Sequence, residues 1–206
     1  MFISLEGPEG SGKSTHAPRL ASFFQSLGQN VLLTREPGGT SIGDQIRLIL
    51  NDHANAGMLP RTEILLFCAS RAQLVNQMIR PHLEHGGTVI CDRFSDSTIA
   101  YHGYGHGLPL DSLRMINSFA ACDLKPHLTF LLDLPVEVGL NRRRTNGLEW
   151  NRMDAMEKEF HQRVRQGYLE LARLEPDRWV RINSDADEEE VWKQMEHTVR
   201  ARLAGK

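Results

Sequence analysis

Gly7-Pro8-Glu9-Gly10-Ser11-Gly12-Lys13-Ser14 stands directly behind the apolar run Phe2-Ile3-Ser4-Leu5 and ahead of a stretch, Ser14 to Leu27, that puts Leu20, Phe23, Phe24 and Leu27 on one side. The octet reads G-x-x-x-x-G-K-[ST], and buried strand, tight loop and amphipathic helix is the setting that pattern requires. Chance alone yields the pattern in a chain of this length about once in a hundred sequences. Its glycines let several backbone N–H groups turn toward one anion at the positive end of a helix. A nucleoside triphosphate is therefore the expected ligand, held by Gly7, Pro8, Glu9, Gly10, Ser11, Gly12, Lys13, Ser14 and Thr15. Lys13 is expected to reach the β- and γ-phosphates and the Ser14 hydroxyl to ligate Mg²⁺.

Short apolar runs recur at Phe2 to Glu6, Val31 to Thr34, Thr88 to Asp92, Leu128 to Leu134 and Trp179 to Ile182, and read as strands. Helical patterns separate them near Ser14 to Leu27, Ile42 to Leu50, Glu63 to Met78, Leu110 to Phe119, Val136 to Arg143, Met156 to Leu174 and Glu188 to Leu203. The alternation predicts an α/β fold, a parallel sheet covered by helices on both faces, with ligands outside the carboxyl ends of the strands. Pro18 falls inside the first helix, where a kink or break is expected.

With 206 residues, 40% of them hydrophobic, and no linker or repeat, one domain is expected over 1–206. A formal charge of −2 argues against broad nucleic-acid binding. Cys68, Cys91 and Cys122 form neither a C-x-x-C pair nor an even set, which suits a reducing compartment. With no leader pattern at Met1 and no apolar run near 18 residues, a soluble cytoplasmic protein is expected.

Polar residues just past the strands converge on one rim. Asp92 closes the third strand, placed to orient hydrated Mg²⁺ beside the phosphate loop. Arg35 and Arg93 each offer a two-pronged fork to a second phosphate group, which points to an acceptor that itself carries phosphate.

Glu6-Gly7-Pro8-Glu9-Gly10-Ser11-Gly12-Lys13-Ser14-Thr15, Thr34-Arg35-Glu36-Pro37-Gly38-Gly39-Thr40 and Asp92-Arg93-Phe94 through Ala100-Tyr101 together resemble the bacterial thymidylate kinase family. The likeness runs from Met1 to about Leu203 and takes in Leu66-Phe67-Cys68-Ala69-Ser70-Arg71-Ala72-Gln73 and Leu132-Asp133-Leu134-Pro135. It implies a P-loop NTPase-type three-layer sandwich with a five-stranded parallel sheet, Mg²⁺-dependent transfer of the ATP γ-phosphoryl group to dTMP giving dTDP and ADP, and a homodimer. It further implies that Phe67 stacks on thymine, Arg71 hydrogen-bonds the base, Arg35 and Arg93 hold the dTMP phosphate, Glu9 meets the 3′-hydroxyl and Tyr101 crowds the ribose 2′ position. Ser97 and Thr98 fall where the family contacts base or sugar.

By the same resemblance, residues 142–154 form a short lid. The phosphate loop carries no Arg, and family members of that kind place the catalytic Arg in the lid; Arg144 ranks first, with Arg142 and Arg152 in support. Arg143 is expected to face elsewhere, because consecutive helical residues point about 100° apart. The chain departs from the family at His102, Asn146, Asn151 and Asn183. Two alternatives stay open: another small-molecule or nucleoside monophosphate kinase, since the ATP half of such a site scarcely distinguishes acceptors, and a noncatalytic nucleotide-binding protein.

Overall fold

The computed structural model describes residues 1–145 and 154–205. Five strands, β1 (Phe2–Glu6), β2 (Val31–Arg35), β3 (Thr88–Asp92), β4 (Leu128–Asp133) and β5 (Trp179–Asn183), form one sheet in the order β2-β3-β1-β4-β5, every pair parallel. This is the α/β architecture that the alternating pattern predicts. The register sets Arg35 beside Asp92, Asp92 beside Leu5 and Asp133 beside Asn183, so the polar strand ends share one rim.

Alternation along each strand divides the core. Ile3, Leu5, Ile90, Phe130, Leu132 and Ile182 pack with Leu20 and Phe24 of α1 (Lys13–Ser26) and with Trp192, Met195 and Val199 of the last helix, Glu188–Ala204. Phe2, Val89, Cys91, Leu131 and Trp179 face the other way. There they meet residues of helices Pro60–Leu74, Leu110–Ala121 and Lys158–Leu174. Helices are numbered α2 (Ser41–Asn51), α3 (Pro60–Leu74), α4 (Arg80–Glu84), α5 (Ser95–Thr98), α6 (Leu110–Ala121), α7 (Val136–Thr145), α8 (Lys158–Leu174) and α9 (Glu188–Ala204).

Three local features differ from the sequence reading. α1 runs unbroken through Pro18, which lies on its exposed side, so the turn that lacks a donor faces solvent. The helix expected to stop at Met78 instead widens into a π-helical stretch, Val75–Ile79, and continues as α4; the wide turn stands just ahead of Pro81, whose ring a regular turn would not accommodate. A second π-helical stretch, Ile99–Gly105, extends α5 where no element was expected. Among the described residues no helix is long and apolar enough to cross a membrane.

Candidate active site

The loop between β1 and α1 closes on itself around Lys13. Gly7 and Gly10 adopt φ values of 144° and 70°. A Cβ would stand 2.4 Å from the Leu132 carbonyl oxygen at Gly7 and 2.1 Å from that of Gly139 at Gly10, so neither position accepts a side chain. Lys13 Nζ donates to the Gly7 and Pro8 carbonyls at 3.0 and 2.8 Å and to Ser11 Oγ at 3.0 Å. Burial and the neighbouring Arg93 pull its pKa down to about 8, against the opposing pull of Glu9, Asp92 and Glu6. Neutral carbonyls are modest partners for an ammonium, and an anion in the loop competes with them on favourable terms.

A cavity of about 440 Å³ opens over this loop. Glu9, Gly10, Ser11, Gly12, Lys13, Ser14 and Thr15 line it on the loop side, and Arg35, Phe67, Arg71, Asp92, Arg93, Ser97, Thr98 and Tyr101 are among the residues that line the rest. Gly7 and Pro8, the first residues of the loop, are set back from the cavity wall with their carbonyls turned to Lys13. Ser14 and Asp92 supply a hydroxyl and a carboxylate, both hard oxygen donors. Among the described residues no three His, Cys, Asp or Glu side chains gather as a metal cage. That sparse donor set fits Mg²⁺, which keeps waters and takes phosphate oxygens.

At the end near the loop, Arg93 holds a left-handed backbone, φ 68°, a conformation that costs a non-glycine residue about 1–2 kcal/mol. Its Nη1 donates to the Gly7 carbonyl at 3.1 Å and Tyr168 Oη at 3.0 Å, and its Nη2 to Glu9 Oε1 at 2.8 Å. Tyr101 donates to the same Glu9 oxygen at 2.6 Å. Burial pushes the Glu9 carboxyl up, but Arg93, Lys13 and the Tyr101 hydroxyl together outweigh it and hold its pKa near 2. Beneath them Glu6 accepts from Phe94 N–H, Ser97 Oγ and Tyr168 Oη at 2.7, 2.6 and 3.0 Å. Burial and Asp96 raise its pKa to about 7 in spite of those bonds.

Arg35 lies more open, pairing with Asp44 at 3.3 Å. Arg47 of α2 also reaches the cavity, donating to the Pro37 carbonyl at 3.1 Å. Sequence reasoning passed over Arg47; its one signal is a basic residue in an otherwise apolar turn, Ile46-Arg47-Leu48.

At the far end, Arg71 is 1% exposed. Its Nε and Nη2 grip the Glu36 carboxylate at 2.9 and 2.7 Å, Nη2 also meets Thr98 Oγ1 at 3.0 Å, and Nη1 meets Asn117 Oδ1 at 2.7 Å. Burial works against the charge, yet Glu36 outweighs it and keeps the guanidinium protonated. Phe67 lines the cavity alongside, meeting the His102 ring edge-on at a centroid distance of 5.6 Å. His102 Nε2 lies 2.9 Å from Glu63 Oε1, both side chains buried.

The arginines that end α7 diverge. Arg142 Nη1 donates to the Ser184 carbonyl at 2.8 Å, toward the end of β5. Arg143 lines the cavity and pairs at 3.0 Å with Asp154, which is buried. The sequence reading turned Arg143 away; the structure brings it in. Arg144 is absent from the cavity wall. Arg152, Asn146 and Asn151 lie outside the described residues.

Comparison with known proteins places the chain among close relatives. The family profile described as thymidylate kinase matches residues 5–195. A thymidylate kinase of Roseiflexus sp. (strain RS-1) is 47% identical, the alignment covering 99% of this chain and 95% of the relative. One of Trichlorobacter lovleyi is 46% identical over 99% of both chains. A solved thymidylate kinase from Ehrlichia chaffeensis superposes with a TM-score of 0.78 at 32% identity, covering 97% of this chain and 98% of that one.

Proposed function

The chain belongs to the thymidylate kinase family, and from that membership as an ATP-dependent dTMP kinase we propose how its residues divide the transfer. An oxygen of the dTMP phosphate attacks the γ-phosphorus of ATP, the bond to the β-phosphate oxygen breaks, and dTDP and ADP leave. This chemistry asks the protein mainly for alignment and positive charge. Gly7, Pro8, Glu9, Gly10, Ser11, Gly12, Lys13, Ser14 and Thr15 hold the ATP phosphates, with Lys13 neutralising charge on the moving group. Ser14, and Asp92 through water, hold Mg²⁺, which neutralises phosphate charge when bound. Arg35 and Arg93 take the acceptor phosphate, and Arg47 joins them, since it lines the same cavity and is close enough to feel the charges of both. Phe67 stacks on the base, Arg71 reads it, Ser97 and Thr98 line base or sugar, Glu9 takes the 3′-hydroxyl and Tyr101 excludes a 2′-hydroxyl.

The observation that carries this reading is one cavity lined both by the anion-cradling loop and by Arg35, Arg47, Arg71, Arg93 and Arg143. For the turnover arginine we retain Arg144, with Arg142 and Arg152 in support, and add Arg143 because its side chain meets the cavity. The lid spans 142–154 of a single 1–206 domain. A homodimer in the cytoplasm, without nucleic acid or membrane as partner, completes the proposal. Support for the dimer is an exposed apolar face on neighbouring helices: Leu48 of α2, Leu65 of α3, and Met115 and Phe119 of α6.

The test is an acceptor panel with Mg²⁺-ATP and coupled ADP detection. dTMP is expected to turn over far faster than dCMP or AMP, with partial activity on dUMP because one methyl changes binding by about 1–3 kcal/mol. Preference for dCMP or AMP would make the chain a different nucleotide kinase, and ATP binding without acceptor-stimulated ADP release would make it a binding protein.

A further inference from the structure

A guanidinium has five in-plane N–H donors and no acceptor, so the position of each hydrogen can be accounted for. At Arg71 the Nε hydrogen and one Nη2 hydrogen go to Glu36, the second Nη2 hydrogen to Thr98 Oγ1, and one Nη1 hydrogen to Asn117 Oδ1 at 2.7 Å. The second Nη1 hydrogen finds, among the described residues, only Cys68 Sγ at 3.9 Å. Sulfur at that separation is a weak acceptor. Nη1 is therefore the one nitrogen with a donor to offer the cavity, and Asn117 is the group that ties down its other hydrogen.

Asn117 is itself fixed. It lies on α6, is 6% exposed, and donates from Nδ2 to the Ser95 carbonyl at 2.9 Å. Flipping its amide would turn an NH₂ group against the Nη1 donors and strand the Ser95 carbonyl. The bond to Ser95 thus orients Oδ1, Oδ1 orients Nη1, and Glu36 holds the opposite edge of the same plane. Ser95 follows the Arg93 turn by two residues, so this chain of bonds links the base end of the cavity to its phosphate end.

We propose that Asn117 is a positioning residue for acceptor selection: it holds Arg71 so that a single hydrogen points at the base, suiting the carbonyl edge of thymine and opposing the amino group of cytosine. The proposal rests on the assignment of Arg71 to the base. Without Asn117, Nη1 has two unsatisfied hydrogens and the plane is fixed on one side only.

Asn117→Ala and Asn117→Leu test it, with Arg71→Ala and unfolding midpoints measured in parallel. The Asn117 variants are expected to raise the KM for dTMP about tenfold and to narrow the preference for dTMP over dCMP by a similar factor, as loss of a bond to a charged group implies. The KM for ATP and kcat should stay close to wild type. A structural role alone would lower the midpoint and the active fraction without moving KM or preference. Wild-type KM and preference in folded Asn117→Leu overturn the proposal. If Arg71→Ala also leaves dTMP use unchanged, the assignment of Arg71 to the base fails with it; if only Arg71→Ala impairs dTMP, that assignment stands and positioning by Asn117 is refuted.

Discussion

Glu9 Oε1 lies 2.8 Å from Arg93 Nη2 and accepts the Tyr101 hydroxyl on the same oxygen. This contact ties the phosphate loop to the turn after β3 and leaves Arg93 aimed by its neighbours before any substrate arrives. A fork held this way acts through geometry as well as charge. Arg93→Lys is expected to lower kcat about 100-fold, in the range found for loss of one aligned transition-state contact. The KM for ATP should change little. Initial rates with both substrates varied separate the two effects, and wild-type turnover would remove Arg93 from the reacting phosphates.

Lys13 sets an alkaline limit. Its pKa stands near 8 in the folded protein, below its ordinary 10.5, so its proton is lost as pH rises through about 8. kcat/KM for ATP, which follows the free enzyme, should therefore fall above about pH 8, and Lys13→Met should abolish that limb together with most of the activity. The folding contribution has the opposite sign. Between pH 8 and 10.5 the unfolded chain binds the extra proton, so the burden of burying this charge is relieved as pH rises through that window.

The Arg71–Glu36 pair is buried on both sides, at 1% and 3% side-chain exposure. Removing the anion leaves an uncompensated cation in the protein interior. Glu36→Gln is expected to destabilise the fold by about 3–5 kcal/mol in urea denaturation. A loss under about 1 kcal/mol would mean that water reaches the pair.

Phe119 and Met115 are 88% and 73% exposed on α6. Large apolar side chains grouped on a surface mark a contact face. Sedimentation should give a dimer for the wild type and a monomer for Met115→Glu with Phe119→Glu. A monomeric wild type would remove the assembly proposal.

Single alanine variants at Arg142, Arg143 and Arg144 rank the arginines of α7. An arginine that meets the transferring group contributes on the order of 10³-fold or more to turnover. The expected losses are large at Arg144 or Arg143 and small at Arg142, whose guanidinium is engaged with Ser184 and Asp185. Single-turnover rates at saturating substrates make the comparison.

All five strands were legible from their short apolar runs: β1, β3 and β4 are buried along nearly their whole length, the edge strands β2 and β5 keep enough apolar residues to show despite exposed positions, and the phosphate loop was legible from its spacing. The helical form of Ile99 to Gly105 escaped because a π-helical stretch does not follow the 3.6-residue period, so Tyr101 and His102, adjacent in sequence, both meet the cavity without an amphipathic signature; Tyr101 was found through the family resemblance alone. Glu36 stood inside a motif already singled out, yet nothing local marks it as the anion under Arg71, a partner 35 residues away. Asn117 is less visible still, since its neighbours Ile116 and Phe119 read only as one face of a helix. The direction of Arg143 depends on Asp154, which lies beyond the stretch where helical periodicity could be used.

Gly10 and Gly139 meet backbone to backbone, and a methyl group added at Gly139 would fall 2.2 Å from the Glu9 carbonyl oxygen. The first turn of α7 is thereby pinned to the triphosphate cradle with no side chain to act as a bearing. Arg142, Arg143 and Arg144 follow on the same unbroken helix, so where their backbone stands relative to the Glu9-Gly10 turn is fixed by that one contact.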